Sequence, residues 1–220
     1  MDPHHKEKPD IIIVDDHMIF RQGLKSILAF HNIANVIGEA SNGKELLELL
    51  TYLKPNLVLM DIDMPTMNGI EATEKALELI PELKIIAFTM YNDEDYYYKM
   101  IDRGVQGFIL KTNGINELQD AIENVMSGDT YFSNDLLRKI IKNFGKINNS
   151  VSVQHEKLTH REIEVLQQIC LGLTTDEIAE KLFISPRTVK SHKSNLLEKT
   201  VCKNTPSLIL FAKKNKIVEF

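Results

Sequence analysis

Hydrophobic residues divide the first 126 positions into short apolar runs that alternate with longer amphipathic stretches. Apolar runs occupy positions 11–14, 36–38, 57–60, 85–88 and 108–110. Apolar residues recur at helical spacing over positions 18–29, 43–53, 69–80, 94–103 and 114–126. Five repeats of a strand followed by a helix predict an α/β domain with a parallel sheet covered by helices on both faces.

From position 158 onward the apolar spacing is helical only. Thr159 and Glu162 form a capping-box pattern at the start of a first helix, and a short second helix follows. Ser185 is the predicted N-cap of a longer third helix with Pro186 at its first position. Two short helices, a tight turn and a basic helix together predict a helix-turn-helix unit that binds DNA.

Positions between the two patterns are predicted to form a linker. Ser133 or Asn134 caps a predicted helix that reaches Phe144. Loop-forming residues over positions 145–156 predict a flexible tether after it. The expected divisions are therefore residues 1–128, a linker over residues 129–155, and residues 156–220.

The composition is typical of a soluble globular protein, with 43% apolar and 26% charged residues. No apolar run approaches the ~18 residues needed to span a bilayer, and the first nine residues lack the apolar core of a signal peptide. We therefore expect a cytoplasmic protein that does not associate with membranes. Cys170 and Cys202 are too few for a disulfide framework and are expected to be reduced structural thiols.

The net charge of −5 is unevenly distributed along the chain. From residue 156 onward there are eleven Lys and Arg against eight Asp and Glu, which leaves fifteen against twenty-three before it. A basic C-terminal third attached to an acidic body favours a separate unit that binds a polyanion.

Polar residues follow four of the predicted strands at the point where each strand ends. Asp15 and Asp16 follow the first strand and Asp61 follows the third. Thr89 and Lys111 follow the fourth and fifth. Because the carboxyl ends of parallel strands meet at one edge of the sheet, we expect these side chains to converge there. Neighbouring carboxylates repel one another unless a cation neutralises them, and Mg²⁺ is a cation that takes oxygen ligands and works beside phosphate. We therefore expect a phosphoryl site, and the carboxylate of Asp61 is the predicted phosphoryl acceptor.

The motif Asp15-Asp16-His17, the segments 60–65 and 67–69, Thr89 and Lys111 together resemble the receiver domain of bacterial two-component response regulators. The resemblance implies a five-stranded (βα)5 flavodoxin-like fold and a histidine kinase that phosphorylates Asp61. It implies Mg²⁺ held by Asp15 or Asp16 together with Asp61 and the backbone carbonyl of Asp63. It also implies that Lys111 pairs with the phosphoryl group.

The same resemblance assigns a switch to Thr89 and Phe108. Thr89 is expected to move and bond a phosphoryl oxygen, while Phe108 changes rotamer with it. Thr112 and Met18 depart from the family, whose members often have proline at both positions. The first departure makes a cis peptide after Lys111 unexpected, because a non-proline cis bond costs ~2.5–4 kcal/mol.

The C-terminal third resembles a LuxR-type helix-turn-helix through segments 158–166, 177–182 and 188–192, with Gly172 and Ile184-Ser185. Together with the receiver it places the chain in the NarL/FixJ class of response regulators. This class implies an all-α four-helix domain, binding of double-stranded DNA, and a homodimer on activation. Residues 200–202 and Lys216 depart from the family pattern and leave the ends of the last two helices open.

Helical spacing assigns faces to the predicted third helix. If Val189 and Leu196 face the core, His192 lies on or beside that face and is more often a packing residue than a base reader. The opposite face is expected to enter the major groove, with Lys190 as the best candidate for a base edge. The expected groove-facing residues are Arg187, Lys190, Ser191 and Ser194, and the expected phosphate contacts are Thr188, Lys193, Lys199 and Lys203.

Three alternatives stay open at this point. The tyrosine-rich stretch 91–100, with Asp93 as a plausible N-cap, forms either an output or dimer face or ordinary helix packing. The chain could be a regulator that does not depend on phosphorylation and uses the receiver only to dimerise. Asp61-Ile62-Asp63 also resembles the D-x-D motif of Mg²⁺-dependent phosphohydrolases, although those enzymes place it after the first strand.

Overall fold

The computed structural model describes residues 8–90, 94–133, 158–215 and 217–218. The chain divides into two compact units, Met1–Tyr131 and Phe132–Phe220, and each is described by itself. The predicted linker helix up to Phe144, the predicted tether and Asp93 lie outside the described residues.

The first unit is built on five parallel strands. They pair in the order β2-β1-β3-β4-β5, which is the flavodoxin-like order of doubly wound sheets. The Ile, Leu and Val residues of the three central strands, β1, β3 and β4, are buried because helices cover both faces of a parallel sheet. The predicted α/β architecture is confirmed, and the strands are β1 (Asp10–Val14), β2 (Asn35–Ala40), β3 (Leu57–Met60), β4 (Lys84–Thr89) and β5 (Gly107–Leu110).

A helix follows each strand, as the spacing predicts. The helix after β2 ends at Leu49 rather than at the predicted position 53. Its last turn tightens because Thr51 donates its backbone N–H and its hydroxyl to the carbonyl of Glu48. The helices are α1 (Met18–Phe30), α2 (Gly43–Leu49), α3 (Gly69–Leu79), α4 (Glu94–Arg103) and α5 (Ile115–Met126).

The chain leaves the first unit along the free edge of β5. The N–H of Phe108 donates to the carbonyl of Tyr131 at 2.9 Å, and the N–H of Tyr131 donates to the carbonyl of Gln106 at 2.9 Å. The Tyr131 side chain packs against the hydrophobic core of the first unit. Part of the predicted linker is therefore joined to the sheet.

Four helices make up the described part of the second unit: α6 (His160–Cys170), α7 (Thr175–Leu182), α8 (Pro186–Thr200) and α9 (Thr205–Lys214). The predicted capping box of Thr159 and Glu162 is present, and the Ser185 side chain caps α8 by accepting from the N–H of Thr188. Apolar residues of all four helices share one core that includes Val165, Ile178, Leu196 and Leu208. Within the described residues, no helix combines the length and apolarity required to cross a bilayer.

Candidate functional site

The sheet brings the ends of β1 and β3 side by side. Val14 and Met60 are partners in the register of these two strands, and the N–H of Asp61 donates to the carbonyl of Val14 at 2.8 Å. Asp15 and Asp61 therefore leave neighbouring strands at the same edge. Thr89 ends β4, and Lys111 follows β5, at that edge as well.

Lys111 joins the two buried carboxylates. Its Nζ lies 2.5 Å from Asp15 Oδ2 and 2.5 Å from Asp61 Oδ2. All three side chains are almost completely buried, with exposed fractions of 3%, 2% and 6%. The same ammonium lies 4.7 Å from the centre of the Phe20 ring. A buried ammonium between two carboxylates is the arrangement expected of a site that receives an anionic group.

Asp61 has an environment suited to a reactive carboxylate. Burial raises the pKa of its carboxyl above the ordinary value, and the hydrogen bond and charge of Lys111 oppose this effect only in part. The other oxygen, Oδ1, accepts a hydrogen bond from the N–H of Ile62 at 2.7 Å. The carboxyl group is therefore held in one orientation at the edge of the sheet.

Four side chains at this edge could hold a metal ion. Donor atoms of Asp15, Asp16, His17 and Asp61 all lie within 4.8 Å of one another. Carboxylate oxygens are ligands that Mg²⁺ prefers, and three carboxylates against one ammonium leave a net negative charge. The residues present thus fit a divalent cation. Asp63 is exposed two residues beyond Asp61.

The two residues expected to form the switch are both buried. Thr89 is completely buried at the end of β4. The Phe108 ring packs edge-on against Tyr97, with 4.4 Å between ring centroids. Tyr97 is itself buried, so at this position of the tyrosine-rich stretch the packing interpretation holds.

Two residues of α1 belong to the site although strand-end reasoning does not find them. Phe20 lies beneath the Lys111 ammonium, and an Arg21 guanidinium N–H donates to the backbone carbonyl of Asp15. Both stand on the inner side of α1, within the first turn after the acidic pair. The helical spacing of α1 relative to that pair is the sequence signal that could have indicated them.

The second unit presents α8 with the predicted division of faces. Val189, Leu196 and Thr200 are buried in the core, and His192 is half-buried beside them. The candidate DNA contacts lie away from this core: Arg187, Ser191, Ser194 and Lys203 are exposed, and Thr188, Lys190 and Lys193 are half-buried.

Lys199 differs from the expectation for a phosphate contact. Its Nζ lies 2.9 Å from Oε2 of Glu162, whose side chain is 4% exposed. Glu162 also accepts a hydrogen bond from the N–H of Thr159, through its part in the capping box. Helical spacing places Lys199 beside the buried face of α8, three residues after Leu196, and its long side chain reaches the buried carboxylate of a neighbouring helix. In this structure Lys199 joins α8 to the start of α6.

Comparison with known proteins matches each unit to a family. A family model for the response regulator receiver domain matches residues 11–123, and a model for bacterial regulatory proteins of the luxR family matches residues 156–212. The oxygen regulatory protein NreC of Staphylococcus carnosus (strain TM300) is 36% identical over 215 residues, covering 96% of this chain and 99% of NreC.

Solved structures give the same result. A LuxR-family two-component response regulator from Aurantimonas sp. SI85-9A1 is 29% identical, with a TM-score of 0.59 over 63% of this chain and 99% of that one. RcsB from Salmonella enterica serovar Typhimurium, bound to promoter rprA in the presence of phosphomimetic BeF3-, is 26% identical. That match has a TM-score of 0.56 and covers 92% of this chain and 96% of RcsB.

Proposed function

The chain belongs to the bacterial two-component response regulators of the NarL/FixJ class, which are phosphorylation-regulated transcription factors, and we propose that Asp61 is its phosphoacceptor. The observation that supports this assignment is the contact of the Lys111 ammonium with both Asp15 and Asp61 at the end of the sheet. The phosphoryl donor is a phosphohistidine of a sensor histidine kinase.

The transfer is a substitution at phosphorus. An oxygen of the Asp61 carboxylate attacks the phosphorus, so that an O–P bond forms while the N–P bond of the phosphohistidine breaks. The electron pair of the broken bond stays on the imidazole nitrogen, which takes up a proton. Lys111 then pairs with a phosphoryl oxygen, a partner that carries more negative charge than the carboxylate it replaces.

The acidic cluster binds Mg²⁺ in this proposal. Mg²⁺, when bound, neutralises charge on the carboxylates and on the phosphoryl oxygens. The residues that hold it are Asp15, Asp16 and Asp61 through their carboxylates and Asp63 through its backbone carbonyl. The grouping of carboxylate oxygens at the ends of β1 and β3 supports this assignment.

Phosphorylation changes the output through Thr89 and Phe108. The Thr89 hydroxyl bonds a phosphoryl oxygen, and Phe108 changes rotamer as Thr89 moves. The burial of both residues supports this role, because a shift of one packed side chain requires its neighbours to repack. The result is a change in dimerisation or in the arrangement of the two units.

The activated protein binds DNA as a homodimer through α8. Arg187, Lys190, Ser191 and Ser194 face the major groove, with Lys190 at a base edge. Thr188, Lys193 and Lys203 contact phosphates. Lys199 takes a positioning role instead, because its ammonium is engaged by Glu162. The chain is a phosphoacceptor rather than an enzyme in the usual sense, and slow hydrolysis of its own acyl phosphate is the catalytic activity we expect.

The test compares DNA binding with and without acetyl phosphate in the presence of Mg²⁺. We expect the wild-type chain to gain affinity for its promoter on phosphorylation, and Asp61→Asn to show no gain and no acid-labile label. Glu78→Gln changes an exposed carboxylate on α3 and is the matched control, which keeps the full response. Full phosphorylation-dependent regulation in Asp61→Asn would show that another residue is the acceptor. If the promoter affinity of the wild-type chain does not change when the chain is phosphorylated, the result would favour a receiver that is used only for dimerisation.

A further inference from the structure

Arg161 connects the start of α6 to the end of α7. One guanidinium N–H donates to Oε2 of Glu164 at 2.7 Å, one turn further along α6. Another donates to the backbone carbonyl of Leu182 at 2.7 Å. The hydrogen bond and the charge of the guanidinium lower the pKa of the Glu164 carboxyl, so this carboxyl is ionised at neutral pH. Arg161 is therefore held from one side by a carboxylate while it binds a backbone oxygen on the other.

The carbonyl that Arg161 engages lies at the turn between α7 and α8. Leu182 is the last residue of α7, so the helical pattern supplies no donor for its oxygen. Phe183 follows with φ 54° and ψ 46°, a left-handed conformation that residues with a Cβ rarely adopt. Its side chain is 95% exposed, so packing of the ring does not hold the backbone in this conformation. The hydrogen bonds around the turn hold it instead, and the N–H of Ile184 donates to the carbonyl of Ala179 at 3.0 Å.

This turn sets the direction of α8. Only two residues separate the end of α7 at Leu182 from Ser185, the N-cap of α8. A tilt of about 5° at the start of α8 would move Ser194, about 13 Å along the helix, by about 1 Å. A hydrogen bond to a base edge does not tolerate a shift of this size, whereas a long flexible side chain can still reach a phosphate. Sequence recognition is therefore more sensitive to the turn than general attraction to DNA is.

The residue after Arg161 restrains the other end of α8. Glu162 lies 2.9 Å from the Nζ of Lys199, which belongs to the last turn of that helix. Two successive residues of α6 thus contact the turn before α8 and the last turn of α8. The first turn of α6 restrains α8 at both ends.

We propose that Arg161 is a positioning residue for sequence recognition: its guanidinium fixes the turn before α8 and thereby the direction in which α8 enters the major groove. The proposal rests on the proposed function, because it assumes that α8 reads base edges. Arg161 acts through the turn and not by contact with a base. Its loss should reduce discrimination between sequences more than affinity for DNA in general, because phosphate contacts supply most of the general affinity.

The test compares the affinities of the phosphorylated full chain for two DNA duplexes. The first duplex is selected by the phosphorylated wild-type chain from a pool of random sequences, and the second has the same composition in shuffled order. We expect Arg161→Met to lower the ratio of the two affinities by about fivefold or more, which corresponds to the loss of one good base contact. Affinity for the shuffled duplex and the number of ions released on binding should stay nearly unchanged.

Three further variants make the comparison specific. Lys203→Ala should do the opposite of Arg161→Met, with about one fewer released ion and an unchanged ratio. Arg103→Met is the matched control, because it removes an arginine of the first unit that is paired with Glu74 at 3.0 Å and is 36% exposed, against 35% for Arg161. It should leave both affinities as they are. Arg161→Lys keeps the charge but lacks the planar pair of donors, so the ratio should fall in this milder variant as well.

The outcomes separate this inference from the function on which it rests. Loss of about one released ion in Arg161→Met with an unchanged ratio would show a direct phosphate contact and would overturn the proposal. A lower melting temperature, with an unchanged ratio at temperatures where the chain is folded, would limit Arg161 to stability and would overturn it too. If Arg161→Met does not fold, Arg161→Lys decides by the same criteria. Failure of the wild-type chain to select any sequence would overturn DNA recognition by α8 in the proposed function together with this inference.

Discussion

Lys111 offsets part of the negative charge of the receiver site. Without its ammonium, the buried carboxylates of Asp15 and Asp61 would face each other with no cation between them. Breaking a buried ion pair by removal of one partner is far more costly than removing an exposed one. The position of this one side chain therefore affects both stability and phosphoryl transfer.

We expect Lys111→Met to lower the free energy of unfolding of the first unit by about 3 kcal/mol in the absence of Mg²⁺. Addition of Mg²⁺ should recover part of the loss, because the cation neutralises the same carboxylates. Lys75→Met is the matched control: it removes a half-exposed ion pair with Glu71 and should change stability by less than about 1 kcal/mol. Urea unfolding followed by circular dichroism measures both, and equal losses in the two variants would contradict this account.

The location of a side chain is predictable from the sequence where its position in the chain alone fixes that location. Asp15, Asp61 and Lys111 meet because each follows a strand of one parallel sheet. The partner of Lys199 was not predictable, because helical spacing gives the direction of a side chain but not the residue that it contacts. The carboxylate that engages Lys199 comes from another helix, and only the packing of α6 on α8 brings the two together.

Among the elements, the start of α3 supports the phosphoacceptor loop by close backbone contact. A Cβ atom at Gly69 would lie 2.0 Å from the carbonyl oxygen of Asp61. The N–H of Gly69 donates to the carbonyl of Ile62 at 2.8 Å. Glycine is required here because the helix begins against the backbone of the loop.

Gly69→Ala is therefore expected to destabilise the first unit and to slow phosphorylation of Asp61, because the loop must move away from the new methyl group. Gly23→Ala is the control, since a Cβ on this exposed face of α1 meets nothing within 4 Å. In a helix interior that change should stabilise the fold by about 0.5–1 kcal/mol. Thermal unfolding and the rate of labelling by acetyl phosphate provide the readouts; a fully active, equally stable Gly69→Ala variant would show that the loop tolerates displacement.

Glu162, in the first turn of α6, stabilises the DNA-binding unit through its contacts with Thr159 and Lys199. Burial acts to raise the pKa of its carboxyl, but the hydrogen bonds from Thr159 and Lys199 outweigh burial and hold the pKa below its ordinary value of 4.5. A carboxyl with a lowered pKa in the folded state stabilises the fold above its unfolded pKa. That contribution is lost as the pH falls through the lower, folded value.

Glu162→Gln should accordingly be less stable than the wild-type chain by about 1–3 kcal/mol at pH 7. The difference should shrink as the pH is lowered below 4.5, where the wild-type carboxyl becomes protonated. Calorimetric unfolding of both chains over this pH range measures the difference. A difference that stays constant with pH would mean that the ionised form of Glu162 contributes nothing.

At the scale of whole elements, the sequence predicts which segments are helices and strands better than where they end. Every predicted strand and helix within the described part of the first unit is present. The end of α2 was predicted too far along the chain. The helix ends before the apolar spacing does, because the Thr51 hydroxyl donates to the carbonyl of Glu48 and the last turn is tight. The joining of Tyr131 to β5 was not foreseen, because one residue carries no strand periodicity.

For the molecule as a whole, the uneven charge predicts how DNA binding depends on salt. Lys203 is exposed just after α8, whereas Lys199 is held by Glu162. We expect Lys203→Ala to weaken binding to all sequences by a similar factor and to reduce the salt dependence by about one released ion. Lys199→Met should instead reduce stability and leave the salt dependence nearly unchanged. Fluorescence anisotropy at several salt concentrations distinguishes them, and a reduced slope in Lys199→Met alone would reverse the two roles.

The two-unit organisation was the most predictable property of the chain. The change from alternating strands and helices to helical spacing alone marks two kinds of fold, and each matches a family. The order of the strands was implied by the resemblance and not by the apolar pattern, since periodicity does not say which strands are neighbours.

The central claim is that a phosphoryl group on Asp61 controls DNA binding. Its most direct measurement is reduction of the phosphorylated chain with sodium borohydride, which converts an aspartyl phosphate to homoserine, followed by peptide mass spectrometry. The account predicts homoserine at position 61 in the fraction that gains promoter affinity, and none in untreated protein. Homoserine at another aspartate, or a gain in promoter affinity with no modified residue, would contradict it.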